Sequence, residues 1–384
     1  MHQYKPKSLV PKSTLERALQ LAATARHNCP PNPAVGCIVV NADATILGQG
    51  STQSAGGPHA EIMALRDAQT KGHSVKGATA YVTLEPCAHH GRTGPCCDAL
   101  IAAGIQKVVA TNTDPNPLVA GQGFARLRAA GIEVEVLPPG DPLAVQARDL
   151  NIGFFSRMVR KTPWVRMKVA ASLDGKTALT NGLSQWITST EARADGHAWR
   201  ARSCAVLTGI GTILADDPQL DVRLIQTTRQ PHVVIVDSHL RIPLDAKVLC
   251  SGRTVYIYTA VANTSKQAEL EQRGAKVIHC PQSQTTEAQP AVDLQTMLLD
   301  LGRREINELH VEAGQRLNGS LVRHGLVDEL LVYLAPKFIG QGRDMAHFGP
   351  LVALDKALQL DFSSVELVGP DVRLVARVRG RDDF

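Results

Sequence analysis

The chain has 384 residues, 44% of them hydrophobic, which is enough to bury more than one core, so two domains are expected. Its formal charge of +5 is small, with Lys and Arg scattered among acidic residues. That excludes the basic stripe nucleic acid requires, although a phosphorylated small molecule needs only two or three local cations. The opening MHQYKPKSLVPKS lacks an apolar signal core, and no run approaches the roughly 20 apolar residues of a membrane span. A soluble, cytoplasmic protein without membrane or nucleic-acid partners is the expectation.

From Ser13, STLERALQLAATARHN carries a Ser/Thr cap, an early Glu and apolar residues at helical spacing, which predicts a helix ending before Cys29-Pro30-Pro31. AVGCIVV and ILGQGS, separated by the turn NADA, read as paired strands. His59 to Thr70 follows as a helix and ATAYVTL as a strand. After a Cys-rich loop come helix (Asp98 to Ala103), strand (KVVATN), helix (GQGFARLRAAG) and strand (IEVEVL), an α/β layer with helices against a mixed sheet.

The composition breaks at LPPGDP, and a helical stretch leads on to Lys161-Thr162-Pro163. This divides the chain into domains 1–150 and 151–384. In the second, WVRMKVAAS, SCAVLTG, HVVIVDS, TVYIYTA, KVIHC, ELHVEA and ELLVYLAPKF read as strands, with TSTEARADGHAWRAR among the helices and the polar QSQTTEAQP as a loop.

Eight cysteines are too sparse for a disulfide framework, yet three crowd into Cys87 to Cys97, which points to metal chemistry. A catalytic zinc takes three protein ligands and keeps its fourth position for water. His59, opening a helix in GGPHAEIMAL, and Cys87 with Cys96, flanking the loop of TLEPCAHHGRTGPCC, supply those three. Glu61 stands two residues beyond His59, where its carboxylate reaches the water and the leaving amine without binding metal. Zinc lowers the pKa of its water towards neutrality, and Glu61 would carry the proton to the ring nitrogen and the departing ammonia. The deaminase pattern H-x-E then P-C-x-x-C is met in its first half and varied in its second, because eight residues separate Cys87 from Cys96. Cys97 is a weaker ligand candidate that enters the following helix. Cys29, Cys37, Cys204, Cys250 and Cys280 are isolated and read as packing residues.

The second half contains no G-x-G-x-x-G opening a helix after a strand, so a Rossmann site is not supported. GIGT (Gly209 to Thr212) and GQRLNG (Gly314 to Gly319) each follow an apolar strand and precede a helix, where backbone amides hold phosphate oxygens; either is equally an ordinary turn.

NPAVG (Asn32 to Gly36), GQGSTQSAGGPHAE, TLEPCAHHGRTGPCCDALIAAG and DPNPLVAGQG together resemble the bifunctional riboflavin-biosynthesis deaminase/reductase family. The resemblance continues through VAASLDGKTAL, SQWITS, GIGTILADDPQLDVR, VEAGQRLNGSL and VDELLVYLAPKFIG, so it covers nearly the whole chain. It implies a cytidine-deaminase-like three-layer domain followed by a dihydrofolate-reductase-like α/β domain. The first would use one zinc per chain to deaminate a diaminopyrimidinone ribosylamino 5′-phosphate; the second would reduce the ribosyl group to ribityl with NADPH. It also implies that Asn32, His89 and Arg92 meet the deaminase substrate. Ala170, Trp186, Thr212, Asp216, Ser238, Gly314, Gln315, Arg316, Leu317, Asn318, Gly319 and Ser320 match cofactor positions, and Ser184, Arg200, Leu220, Arg223 and Glu312 match reductase-substrate positions. A homo-oligomer is expected. Asp174 in SLDGK is either a functional acid or a turn residue. Two other readings stand beside this one: a nucleoside or tRNA-editing deaminase fused to an unrelated domain, and a structural zinc module joined to a nucleotide-sensing domain.

Overall fold

The computed structural model of the chain describes residues 14–89, 94–250, 252–283 and 290–384. It divides into two compact units, one ending at Val159 and the other spanning Arg160–Phe384. In chain order the first contains α1 (Thr14–Ala25), β1 (Gly36–Val40), β2 (Ile46–Ser51), α2 (Ala60–Thr70), β3 (Thr79–Val82), α3 (Cys96–Ala102), β4 (Lys107–Ala110), α4 (Gln122–Ala129), β5 (Glu133–Val136) and α5 (Pro142–Leu150), followed by α6 (Ile152–Arg160). Its sheet runs β2-β1-β3-β4-β5, antiparallel at β2-β1-β3 and parallel at β3-β4-β5. The helices pack this closely because the facing positions are small. A Cβ on Gly36 would sit 1.9 Å from the Ala18 carbonyl oxygen of α1, and one on Gly50 would meet Met63 and Ala64 of α2. Helix α3 begins at Cys96, two residues before the sequence pattern suggests, because Pro95 with φ −58° already directs the chain into it.

The second unit contains β6 (Trp164–Ser172), β7 (Lys176–Leu179), α7 (Thr190–Arg202), β8 (Ala205–Gly209), α8 (Ile210–Asp216), β9 (His232–Val236), β10 (Val255–Thr259), α9 (Thr264–Gln272), β11 (Ala275–His279), α10 (Leu294–Arg303), β12 (Glu308–Val311), α11 (Gln315–Arg323), β13 (Glu329–Ala335), β14 (Gly342–Asp344), β15 (Leu360–Val368) and β16 (Asp371–Val378). Nine strands form one sheet in the order β11-β10-β9-β8-β12-β6-β13-β16-β15, parallel from β11 to β13. The last two strands, which the sequence pattern does not announce, add antiparallel. Strands β7 and β14 pair separately. The parallel strands are mostly apolar on both faces, as burial between helix layers demands, with buried Arg166, Glu308 and Glu329 on β6, β12 and β13 paired to one another. Met297, Leu298, Leu301 and Leu321 of α10 and α11 cover one face with Val165, Met167 and Leu309. Ile213 and Leu270 of α8 and α9 join Val233, Ile235 and Ile257 in a second cluster. Strand β13 stops at Ala335, since Pro336 has no N–H to give the ladder. The stretch expected as a loop, QSQTTEAQP, falls mostly on residues 284–289, outside those described.

Among the described residues no helix is long and apolar enough to cross a membrane.

Candidate functional site

Register brings the first unit's chemistry to one end of its sheet. Gly36 at the start of β1 lies opposite Ser51 at the end of β2, and Cys37 opposite Val82 at the end of β3, with Ala110 of β4 alongside. The segments leading from or into these ends carry Asn32, His59, Cys87 and Asp114.

His59 is the N-cap of α2 in extended backbone, so its ring projects beyond the helix rather than along it. Its Nδ1 lies 3.6 Å from Cys87 Sγ and 3.3 Å from Cys96 Sγ, and the three ligand atoms are within 4.8 Å of one another. Tetrahedral zinc with bonds of about 2.0 Å to nitrogen and 2.3 Å to sulfur requires N···S separations of about 3.6 Å, so the three side chains fit the metal and leave a fourth position. Cys97 turns away: its thiol points at the carbonyl oxygens of Pro86 (3.2 Å) and Gly123 (3.5 Å). Hydrogen bonding from Cys96, then from His59, holds the Cys87 thiol well below its usual range.

Glu61, in the first turn of α2, is 4% exposed. Burial and then the neighbouring Cys87 push its carboxyl up to about 7, so it can both take and return a proton near neutrality.

Asn32 is partly buried on the approach to β1. Asn151 holds that approach by both polar atoms of its amide, accepting from Ala34 N–H (2.7 Å) and donating to Ala34 O (2.9 Å). His89 is exposed at the loop, and Arg92 lies outside the described residues. Sequence reasoning gave no role to Asp114, whose carboxyl burial raises and which lies within electrostatic reach of His89 and Cys87. Its signal was the DPNP string, quoted above without a function for the acid.

In the second unit a cleft of about 830 Å³ opens at the carboxyl ends of β6, β8, β9 and β12. The chain leaves β8 towards β9 on one side, while β12 lies next to β6 on the other, so the cleft stands at the switch point where open parallel sheets bind ligands. Ala170, Ser184, Thr212, Asp216, Ser238, Glu312 and Gly314 through Asn318 line it. Trp186, Arg200, Leu220, Arg223, Gly319 and Ser320 are not on its wall, though Arg200 is joined to it. The Arg200 guanidinium grips Glu312 through two of its nitrogens, Nε and Nη2, and donates from the third, Nη1, to Asp221 O (2.8 Å). Leu220 takes a left-handed backbone (φ 54°), and Arg223 N–H donates to His197 Nδ1 (3.3 Å). Gly319 must be glycine, because a Cβ there would lie 1.8 Å from His347 O.

Several observations fit a dinucleotide. Gly314 is the N-cap of α11 and offers no side chain, which leaves first-turn amides open to a phosphate. Arg241, Arg316 and Arg343 stand on the cleft wall. Asn318 donates to Ala313 O and Met345 O, while its buried Oδ1 has no partner among the described residues and awaits a donor. Lys168, also on the wall, was hidden in the strand WVRMKVAAS; a lysine within an apolar strand was the signal. Desolvation holds it below the usual lysine range. Asp174 is a turn residue: it accepts from the Ser172 hydroxyl and from the N–H groups of Ile339 and Gly340.

Residues 11–112 match the cytidine and deoxycytidylate deaminase zinc-binding region, and residues 163–374 match the RibD C-terminal domain. The chain is 44% identical to the riboflavin biosynthesis protein RibD of Escherichia coli strain K12, over 94% of this chain and 97% of that protein. It belongs to the RibD family. RibD of Aquifex aeolicus is 39% identical over 94% of this chain and 97% of its own length. Acinetobacter baumannii RibD, form 1, superposes with a TM-score of 0.84 at 40% identity, covering 94% of this chain and 97% of that one. A diaminohydroxyphosphoribosylaminopyrimidine deaminase/5-amino-6-(5-phosphoribosylamino)uracil reductase from Thermotoga maritima gives 0.80 at 32% identity, covering 95% and 97%. As a RibD the chain is a bifunctional enzyme of riboflavin biosynthesis, a zinc-dependent deaminase joined to an NADPH-dependent reductase, with the cytidine-deaminase-like and reductase folds expected from its sequence.

Proposed function

We propose that the first unit deaminates 2,5-diamino-6-ribosylamino-4(3H)-pyrimidinone 5′-phosphate and that the second reduces 5-amino-6-(5-phosphoribosylamino)uracil to its ribityl form. The observation that carries the first step is the pairing of a three-ligand zinc site with the carboxyl of Glu61, buried in the first turn of the helix that His59 caps. Bound by His59, Cys87 and Cys96, the metal contributes Lewis-acid activation of water. Glu61 accepts one proton of the water whose oxygen adds to the ring carbon and gives it to the ring nitrogen; it then carries the hydroxyl proton of the adduct to the amine, which leaves as ammonia as the C–N bond breaks and the carbonyl forms. Asn32 and His89 hold the pyrimidine, and Arg92 the phosphate.

In the second step, bound NADPH contributes the hydride. Gly314 to Asn318, Thr212, Asp216, Ser238 and Ala170 hold the cofactor from the cleft wall, while Gly319, Ser320 and Trp186, which stand off that wall, are assigned to it by family resemblance alone. Ser184, Arg200, Leu220, Arg223 and Glu312 hold the sugar phosphate, and Lys168, desolvated on the same wall as Glu312, delivers the accompanying proton. The deaminase function resides in residues 1–150 and the reductase in 151–384.

The enzyme works in the cytoplasm on small molecules, without nucleic acid or membrane, and as a homo-oligomer. The oligomer is supported by β15, a sheet edge that leaves Phe362, Val365 and Leu367 at least 60% exposed; sedimentation equilibrium returning a monomer would remove it.

Turnover of the diaminopyrimidinone phosphate with and without NADPH, with both products identified, tests the whole assignment. Deaminated uracil alone is expected without NADPH, and the ribityl product with it. A preference for free cytidine or tRNA would overturn the substrate.

A further inference from the structure

The Glu-Pro dipeptide ahead of Cys87 takes no part in the chemistry above, yet its glutamate is among the most heavily bonded side chains of the first unit. Glu85 continues β3, donating its own N–H to Asn112 O (2.9 Å), and its carboxylate turns inward, 6% exposed. There it accepts four backbone N–H groups. Asp114 (3.0 Å) and Gly121 (2.9 Å) donate to Oε2; Gly123 (2.8 Å) and Phe124 (3.2 Å) donate to Oε1.

Two of these donors are first-turn amides of α4. The N-cap of that helix is Gly121, left-handed at φ 76° and without a side chain, so Glu85 supplies the missing cap from a distant strand and sets a negative charge at the helix's positive end. The joint leaves no slack. A Cβ on Gly123 would lie 2.0 Å from Pro86 O, and the Cys97 thiol donates to that same oxygen. One carboxylate therefore ties both ends of the segment Asp114–Phe124 to the strand end that presents Cys87. Strands β3 and β4 end side by side, Val82 opposite Ala110, and the Glu85 N–H bond to Asn112 O continues that pairing towards Cys87 and Asp114, so the tied segment borders the metal centre.

We infer that Glu85 is a positioning residue of the deaminase: it fixes the Asp114–Gly121 segment as a wall of the pyrimidine site. The inference rests on the deaminase reading proposed above. Four converging donors require an acceptor on both oxygens, and a glutamine amide would set N–H against N–H on one of them.

The test uses full-length Glu85→Gln and both activities. The reductase, assayed on the already deaminated substrate, gauges folded protein, and zinc per chain reads the metal centre. Both are expected to hold, while deaminase kcat/KM falls about a hundredfold with KM carrying most of the loss. A purely structural role lowers kcat, zinc and reductase together at constant KM; that outcome, or a KM within about twofold of wild type, overturns the inference. Gly123→Ala keeps the charge and forces the joint from its other side. It too is expected to raise KM, and it decides the matter if Glu85→Gln does not fold. Wild-type protein that fails to deaminate the phosphorylated diaminopyrimidinone overturns the functional reading, and this inference with it, before any variant is made.

Discussion

The metal centre and the reductase cleft solve opposite problems. In the first unit the chemistry is concentrated: three ligands and one carboxylate, all buried or half-buried. The cleft spreads its work over turns and helix ends, with Glu312 held by Arg200 and with Arg241, Arg316 and Arg343 on its wall. A concentrated site fails through one atom. A distributed one yields by degrees and depends instead on the rigidity of the sheet beneath it.

The sharpest test of that contrast is Glu61→Gln. It is expected to lower deaminase turnover by about 10³–10⁴-fold while the reductase, given deaminated substrate, runs at the wild-type rate. Ammonia release within about tenfold of wild type would break the contrast outright.

The next largest effect lies beneath the cleft. Arg166 on β6 is fully buried, pairs with Glu329 through Nε and with Glu308 through Nη1 (2.7 Å), and lies 4.6 Å from the Trp199 ring centroid. Removing the cation strips both buried carboxylates of their shortest ion pairs and leaves the longer ones, Arg202 to Glu308 (3.6 Å) and Arg377 to Glu329 (3.7 Å), so Arg166→Met should cost the second unit up to about 3–5 kcal/mol in a denaturant titration. Deaminase activity should survive it. A loss under about 1 kcal/mol would mean that the sheet does not depend on this network.

The smallest effect is a pH dependence. His197, 6% exposed, accepts the Arg223 N–H, and burial followed by Arg200 and Arg223 lowers its pKa from 6.5 to about 4. Between those values the unfolded chain binds a proton that the folded one refuses. Stability is therefore full above about pH 6.5 and falls as pH drops towards 4, by about 1–3 kcal/mol from this group. Thermal melts of His197→Gln, whose amide oxygen can still accept from Arg223, should lose that part of the slope; an unchanged slope would assign it to other groups such as His232 and His310, which burial also lowers.

The same contrast governs what the sequence made legible. His59, Glu61, Cys87 and Cys96 could be read because metal and proton chemistry admits few residue types and sets their spacing, and the structure brings the three ligands together. Most helices and strands were readable from apolar period and caps. The hairpin β15–β16 was not, since β15 carries its large apolar side chains on an exposed face where no alternation marks a core. Lys168 was concealed by the apolar strand around it. The Arg200–Glu312 pair joins residues 112 positions apart, and Glu85 acts through backbone amides, which have no residue signature at all.

The amide of Asn151 closes on Ala34 across 117 residues. During synthesis, then, the approach that carries Asn32 has no lock until the helical tail of the first unit has left the ribosome, however early its metal ligands were made. The nascent first unit is complete only as translation of the second begins, and a gene fragment ending at residue 150 would encode His59, Cys87 and Cys96 while lacking the side chain that fastens the approach to β1.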